Sequence, residues 1–392
     1  MVELGPFTLS IINSTAQITA EQWQICAGDE NPFLCYDFFT SLENSGCLSK
    51  DNGWQICFGV LKNKSDEIVA ILPGFLKYHS MGEYVFDQNW AQAYEAAGGK
   101  YYPKYLTAIP FTPASTKKLL INQNLEKAEH DQVLKHLLEL PKLITEQLGL
   151  SSFHVTFLKE DEAKLFEDNG YLIRHDAQYH WQNHDYKSFE EFLDSLTSRK
   201  RKTIKRERHL ALNGGDEPLD VMIVTGSEIS ESHLDHFYQF YISTSIHKWG
   251  RPYLTREFFT LIGQTMADKI VLIFAKRGEQ IIAGALNFLG KDTLYGRNWG
   301  ASEHHPFLHF EICYYQAIEF AIKHGLKTVE AGAQGEHKIA RGYAPQKTYS
   351  AHHFQSQAFH DAVEKYLKDE SEAIEHYIEN ANTHTPFKKE SG

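Results

Sequence analysis

Ionisable side chains gather in three short stretches of the chain. The first interleaves Glu330, Gln334, Glu336, His337, Lys338 and Arg341 with Gly332, Gly335 and Gly342. A carboxylate or a neutral imidazole can take a proton near neutral pH, and Lys and Arg can hold an anion. Glu330, at a predicted strand end, is the first candidate for a general base and His337 the second. Lys338 and Arg341 are candidates for holding an anionic group. Three glycines in the same stretch let backbone turn tightly or approach a ligand. A solvated turn holding an ion pair would use the same residue types, so both readings stand.

The second stretch is His304-His305-Pro306-Phe307-Leu308-His309-Phe310-Glu311. Pro306 suits a first helical position, and a helix N-terminus favours anions. Glu311 in that first turn, with His309, is a further catalytic candidate. Alternatively Glu311 stabilises the helix end, worth about 0.3–1 kcal/mol. His305 and His309 are four apart and could share a helical face, but Glu311 points elsewhere. With no H-E-x-x-H motif and no Cys-rich partner, no metal site is expected.

The third stretch, Arg199 to Arg208 (RKRKTIKRER), carries seven basic residues and one acid. Helical spacing sets Arg201, Lys205 and Arg208 along one side, with Lys202 and Arg206 beside them. Such a helix grips a polyanion or pairs with surplus acids. The whole chain has 39 Lys plus Arg against 51 Asp plus Glu, a net charge of −12, which repels nucleic acid and anionic membrane over most of the surface. A polyanion must therefore meet a local basic patch; tRNA is a possible partner and DNA is not expected.

The elements that would position these groups occur twice, with a period of roughly 190–210 residues by comparison of element order. In the second half, Lys269 to Ala275 and Gln280 to Phe288 read as a hairpin, followed by a strand-like Thr293 to Trp299. An amphipathic helix over Pro306 to His324 follows, with Leu308, Ile312, Tyr315, Ile318 and Ile322 on one face, and then the strand Thr328 to Ala331. The first half offers Trp54 to Leu61, Ile68 to Tyr78, Tyr84 to Phe86, a helix over Asp131 to Leu148, and Phe153 to Leu158. The expected fold class is α/β (α+β), with mixed sheets flanked by helices, in two domains over 1–185 and 186–392. His79, Glu83, Tyr84, Asp87 and Tyr101 to Lys104 are expected to line a cleft shared by the copies.

At 392 residues the chain exceeds an ordinary single core, and 42% apolar residues with 25 Phe, 20 Tyr and 6 Trp exclude disorder over most of it. The N-terminus has no signal-peptide pattern and no apolar run reaches the roughly 18 residues of a membrane helix. A cytoplasmic protein without membrane insertion, its five cysteines free, is expected. Residues after about 375 read as a frayed tail.

Longer motifs carry a family resemblance. The stretch from Leu196-Thr-Ser-Arg-Lys-Arg-Lys through Ile281-Ile-Ala-Gly-Ala-Leu to Glu330-Ala-Gly-Ala-Gln-Gly resembles the acyltransferase half of GNAT-like and FemABX-like proteins. Asn31-Pro-Phe-Leu, Lys77-Tyr-His-Ser-Met-Gly-Glu-Tyr-Val-Phe-Asp, Tyr101-Tyr-Pro-Lys, Lys248-Trp-Gly-Arg-Pro-Tyr-Leu and Leu308-His-Phe-Glu-Ile-Cys-Tyr-Tyr-Gln resemble a bacterial family described as GNAT-like N-acyltransferases or peptidoglycan biosynthesis and recognition proteins. The likeness covers about residues 30 to 370. It implies two tandem GNAT-like (acyl-CoA N-acyltransferase) domains and transfer of an acyl or aminoacyl group from a thioester or ester to a small-molecule or peptide amine, in cell-wall precursor metabolism, with acyl-CoA as cosubstrate. Arg297, Gly300 and Ser302 partly echo the R/Q-x-x-G-x-G/A loop that holds CoA pyrophosphate in that group, and with Lys338, Arg341, Arg201 and Lys205 they form the implied donor and anion set. Trp249, Arg251, Tyr253, Tyr295 and Gln334 form the acceptor set. The alternatives are a non-catalytic module recognising peptidoglycan or peptides, and a transferase drawing on aminoacyl-tRNA.

Overall fold

The computed structural model describes residues 2–249, 251–332 and 335–388, apart from the side chains of Val2 and 247–249. The chain divides into two units, one of Met1–Asp176 with Thr348–Glu375, the other of Ala177–Lys347 with His376–Gly392. Both are mixed α/β, as the sequence implies.

In the second unit the strands run Asp220–Thr225, Ile270–Arg277, Gln280–Leu289, Thr293–Ala301, Thr328–Glu330 and then 177–182, each beside the next. All neighbours are antiparallel except Thr293–Ala301 and Thr328–Glu330, which run parallel. Val271, Ile273 and Ala275 alternate with Ala283 and Ala285 on the inner face, under Ile312, Tyr315, Ile318 and Ile322 of the helical segment. All five residues of the predicted apolar stripe are buried. That segment begins as Leu308–Phe310, widens to a π-helical turn at Glu311–Tyr315, and continues as Gln316–Lys323.

The first unit repeats the pattern. Phe7–Ile12 pairs with Phe58–Lys62, and Phe58–Lys62 with Ile68–Leu72. Trp54–Ile56 pairs with Gly74–Lys77, then come Lys104–Thr107, a parallel Ser152–Leu158, and an antiparallel 348–354. The hairpin expected as two continuous strands is broken at Cys57 and Pro73, so its two ends enter different sheets. Pro73 has no N–H for a ladder bond, which makes it a natural break. Tyr84 to Phe86 is not a strand; the third strand is Lys104–Thr107, preceded by the helix Gln88–Ala96.

The last strand of each unit comes from the other copy of the repeat. Residues 177–182, ending the first copy, pair with Thr328–Glu330, and 348–354, ending the second, pair with Ser152–Leu158. A single boundary between 185 and 186 does not describe this exchange.

The expected frayed tail is also replaced by structure. The helix Gln357–Thr383 continues past 375, Phe387 bridges to Leu196, and the Lys388 N–H donates to the Ser195 carbonyl at 3.0 Å. Ala381 and Phe387 bury apolar surface in the second unit's core, which holds the segment in place.

Candidate active site

The parallel pair in the second unit ends abruptly. Thr293, Leu294 and Tyr295 face Thr328, Val329 and Glu330, and beyond Tyr295 the longer strand continues beside Gln280–Leu289 alone. A register shift at Leu286/Asn287 marks the same level. Ligand sites in α/β sheets form where adjacent strands part at their carboxyl ends. Glu330 stands there, 8% exposed, paired on one side with Tyr295 and on the other with His180.

The His180 Nε2 lies 4.0 Å from the Glu330 Oε1. Burial, helped by the Lys338 ammonium, pushes the imidazole down to about 4, so it is neutral at neutral pH. Burial and the Glu330 charge push the Tyr295 phenol up, so it stays protonated and can donate. A carboxylate, a neutral imidazole and a phenol donor therefore share one row across three strands. His180 escapes a reading of the sequence because it lies at the end of the first copy.

The loop after Glu330 turns two of its cations inward. Lys338, 3% exposed, donates to the Gly332 carbonyl at 3.0 Å and lies 5.4 Å from the Tyr179 ring centroid. Arg341 donates to Glu207 at 2.8 Å and to the His337 carbonyl at 2.6 Å, and stacks 3.5 Å from the Phe310 ring centroid. Tyr315 also donates to Glu207. Arg341 is thus committed to bracing the loop rather than open to an anion. His337 Nε2 meets the Tyr314 hydroxyl at 3.1 Å, and burial with Arg341 and Lys338 lowers its pKa. Its ring neighbours Phe310, Tyr314 and His309, and His309 lies 4.9 Å from the Trp299 centroid. The structure brings the two candidate histidines into one aromatic cluster. Gln334 lies outside the described residues.

Glu311 is fully buried and receives Arg208 Nη2 at 2.9 Å, Arg208 Nε at 3.1 Å and Gln316 Nε2 at 2.7 Å. Both oxygens are occupied, which corrects its reading as a base: it anchors the basic helix to the π-helical turn. The echo of a phosphate loop also departs from expectation. Arg297 and Gly300 belong to the strand Thr293–Ala301, a side chain at 300 would collide with the Phe240 carbonyl, and Ser302 Oγ donates to the Ile282 carbonyl at 3.1 Å. Gly300 serves close helix–strand packing. In the basic helix Ser198–Asn213, Arg201 pairs with Asp194 and Lys205 with Glu190. Exposed Arg199, Lys202 and Arg206, at i, i+3 and i+7, form a stripe with no ion pair among the described residues. Of the acceptor set, the Tyr253 N–H donates to the Tyr241 hydroxyl at 3.0 Å, Arg251 is exposed, and the Trp249 side chain lies outside the described residues.

Of the groups expected to line a cleft in the first copy, Glu83, Asp87, Tyr101 and Lys104 are instead interior, while His79, Tyr84 and Tyr102 are half-buried. Lys104 is fully buried and binds Glu83 at 2.7 Å, Asp87 and Ser80. Tyr101 donates to Asp87, His154 Nε2 meets Ser152 at 2.8 Å, and His154 Nδ1 meets His352 Nδ1 at 2.7 Å. Burial pushes Glu83 up to about 7 and Lys77 down to about 7.

Residues 14–389 match the model of the FemAB-like family, described as peptidoglycan biosynthesis/recognition. The chain belongs to this family. No curated protein matches the sequence. Among solved structures, FemX is similar with a TM-score of 0.52 and 11% identity, covering 91% of this chain and 100% of FemX. L-PGS from Bacillus licheniformis is similar at TM-score 0.47 and 11% identity, covering 86% and 98%. A tandem GNAT protein from the clavulanic acid biosynthesis pathway gives 0.42 and 11%, covering 89% and 99%. At such identities the FemX likeness fixes the fold alone. No helix among the described residues is long and apolar enough to cross a membrane.

Proposed function

We propose that this FemAB-like chain is a transferase that moves an acyl or aminoacyl group from a thioester or ester to a peptide amine in cell-wall precursor metabolism. The observation that carries the reading is the placement of Glu330 where the parallel strands part, beside neutral His180 and protonated Tyr295. Glu330 takes the proton of the attacking amine as the N–C bond forms. Tyr295 donates to the carbonyl oxygen as it becomes an oxyanion, and the C–S or C–O bond then breaks with the proton passing to the leaving group. His337, paired with Tyr314, is the second proton-accepting candidate.

The first donor to test is acyl-CoA, with the protein, acetyl-CoA and a lysine-containing peptide followed by free thiol release. Turnover in the natural protein, abolished in Glu330→Gln with donor binding kept, supports the reading. Full turnover in that variant sinks it. The stripe of Arg199, Lys202 and Arg206 favours a second reading, in which the donor is aminoacyl-tRNA. Binding of peptides with no transfer from either donor would instead favour a recognition module.

A further inference from the structure

The second unit holds a cavity of about 280 Å³ whose wall is made by three elements. The basic helix contributes Lys200, the short helical turn Glu336–Arg341 contributes Glu336, Ile339 and Ala340, and the C-terminal helix contributes Tyr377 and Asn380, with His384 just past its end at the rim, its ring at 3.0 Å from the Asn380 carbonyl. Lys200 and Glu336 carry opposite charge, yet among the described residues neither is ion-paired with the other or with any third group. The Asn380 side-chain amide likewise makes no hydrogen bond among the described residues. Ile339, 9% exposed, Ala340 and Ala381 add apolar lining. The cavity is at the small end of ligand pockets, which run from about 300 to 1,000 Å³.

An anionic and a cationic side chain that line one cavity together with apolar surface suit a small zwitterion. We infer that this cavity binds the zwitterionic form of an amino acid or very short peptide. Glu336 receives the ammonium, Lys200 the carboxylate, and Asn380 a backbone amide or carboxylate oxygen, with the ligand side chain over Ile339 and Ala340. The cavity is joined to the Glu330 row. Tyr377 shares a hydrogen bond with Tyr179, the residue before His180, and the Tyr179 carbonyl accepts from the Ala331 N–H at 3.2 Å. The turn that carries Glu336 and Ile339 also carries His337 and Lys338. A ligand here would bear on the loop that frames the candidate active site.

Binding is read without turnover, so the result does not depend on the transferase reading. The full chain is titrated with alanylalanine, N-acetyl-alanylalanine and alanylalanine amide, followed by calorimetry and by amide chemical shifts. The expected result is saturable binding of alanylalanine, roughly 10-fold weaker for each blocked form. Glu336→Gln should erase the discrimination against the acetylated form only, and Lys200→Met that against the amide only. Both side chains reach solvent, so neither variant should lower the melting temperature. Absence of saturable binding up to about 10 mM, equal affinity for blocked and free forms, or variants that weaken all three ligands alike would each overturn the assignment.

Discussion

Glu330 and His180 sit directly opposite each other on antiparallel strands, with carboxylate and imidazole nitrogen 4.0 Å apart. At neutral pH this is not an ion pair, because burial and Lys338 keep His180 neutral. The carboxylate is left beside a neutral ring and a protonated phenol, a setting in which it can accept a proton from a substrate. Glu330→Gln keeps the size and removes the charge. Transfer should fall by about 10²–10⁴-fold while the melting temperature stays within a few degrees.

Lys338 can be tested through the same pair. Its ammonium is the charge that, after burial, disfavours imidazolium at His180. Lys338→Met removes that charge and leaves the burial. The His180 titration, followed by imidazole proton and nitrogen shifts, should move up from about 4 toward the ordinary value of about 6.5 without reaching it. An unchanged or lower midpoint would contradict the electrostatic account.

Particular residues show how much of the fold and site is legible in the sequence. The stripe Leu308, Ile312, Tyr315, Ile318 and Ile322 announces its helix, because apolar side chains at that spacing can bury only on one face. Glu330 is legible as a strand end. His180 is not, since strand exchange between copies is a long-range pairing with no local signal. Glu311 looks open in the sequence because spacing cannot show Arg208 closing on it from another helix. Gly300 looks like part of a ligand loop, while its actual constraint is the Phe240 carbonyl. The set around Lys104 is polar and so suggests a surface; pairing of both signs is what permits its burial.

Lys104 should be the most costly single charge to remove from the first unit. It satisfies Glu83 and Asp87, and although burial works against ionised Asp87, the ammonium holds that carboxyl well below the usual range. Lys104→Met leaves the Asp87 carboxylate buried without its ammonium, beside a Glu83 that burial already favours in the protonated form. Urea unfolding should show a loss of about 3–5 kcal/mol. Adding Asp87→Asn should restore a substantial part of it, an interaction that a simple packing defect would not produce.

Acid should destabilise the first unit through its histidines. Burial pushes His154 down to about 3 and His352 well below its ordinary value, and their Nδ1 atoms share one hydrogen bond. The unfolded chain binds protons at these sites near pH 6.5 and the folded chain does not. Stability from them is therefore full above about 6.5 and is lost as pH falls toward 4, at about 1.4 kcal/mol per pH unit per group. Glu83, raised to about 7, acts oppositely between about 4.5 and 7 and offsets one of the two. Urea midpoints measured from pH 7 to 4 should fall, and Glu83→Gln should steepen the fall.

The basic helix makes a prediction that separates a polyanion grip from mere charge balance. Arg201 and Lys205 are paired with Asp194 and Glu190, whereas Arg199, Lys202 and Arg206 line one exposed face without an ion pair among the described residues. If the face meets RNA phosphates, neutralising Arg199, Lys202 and Arg206 to Gln should weaken tRNA binding strongly. The slope of log affinity against log salt should shrink by about 0.7–0.9 for each phosphate no longer neutralised. Neutralising Arg201 and Lys205 should change that slope little, because their charges are already balanced by neighbouring carboxylates. Equal effects of the two sets would show that only net charge matters. No measurable tRNA binding by the natural protein at low salt would remove the aminoacyl-tRNA reading and leave acyl-CoA as the donor to pursue.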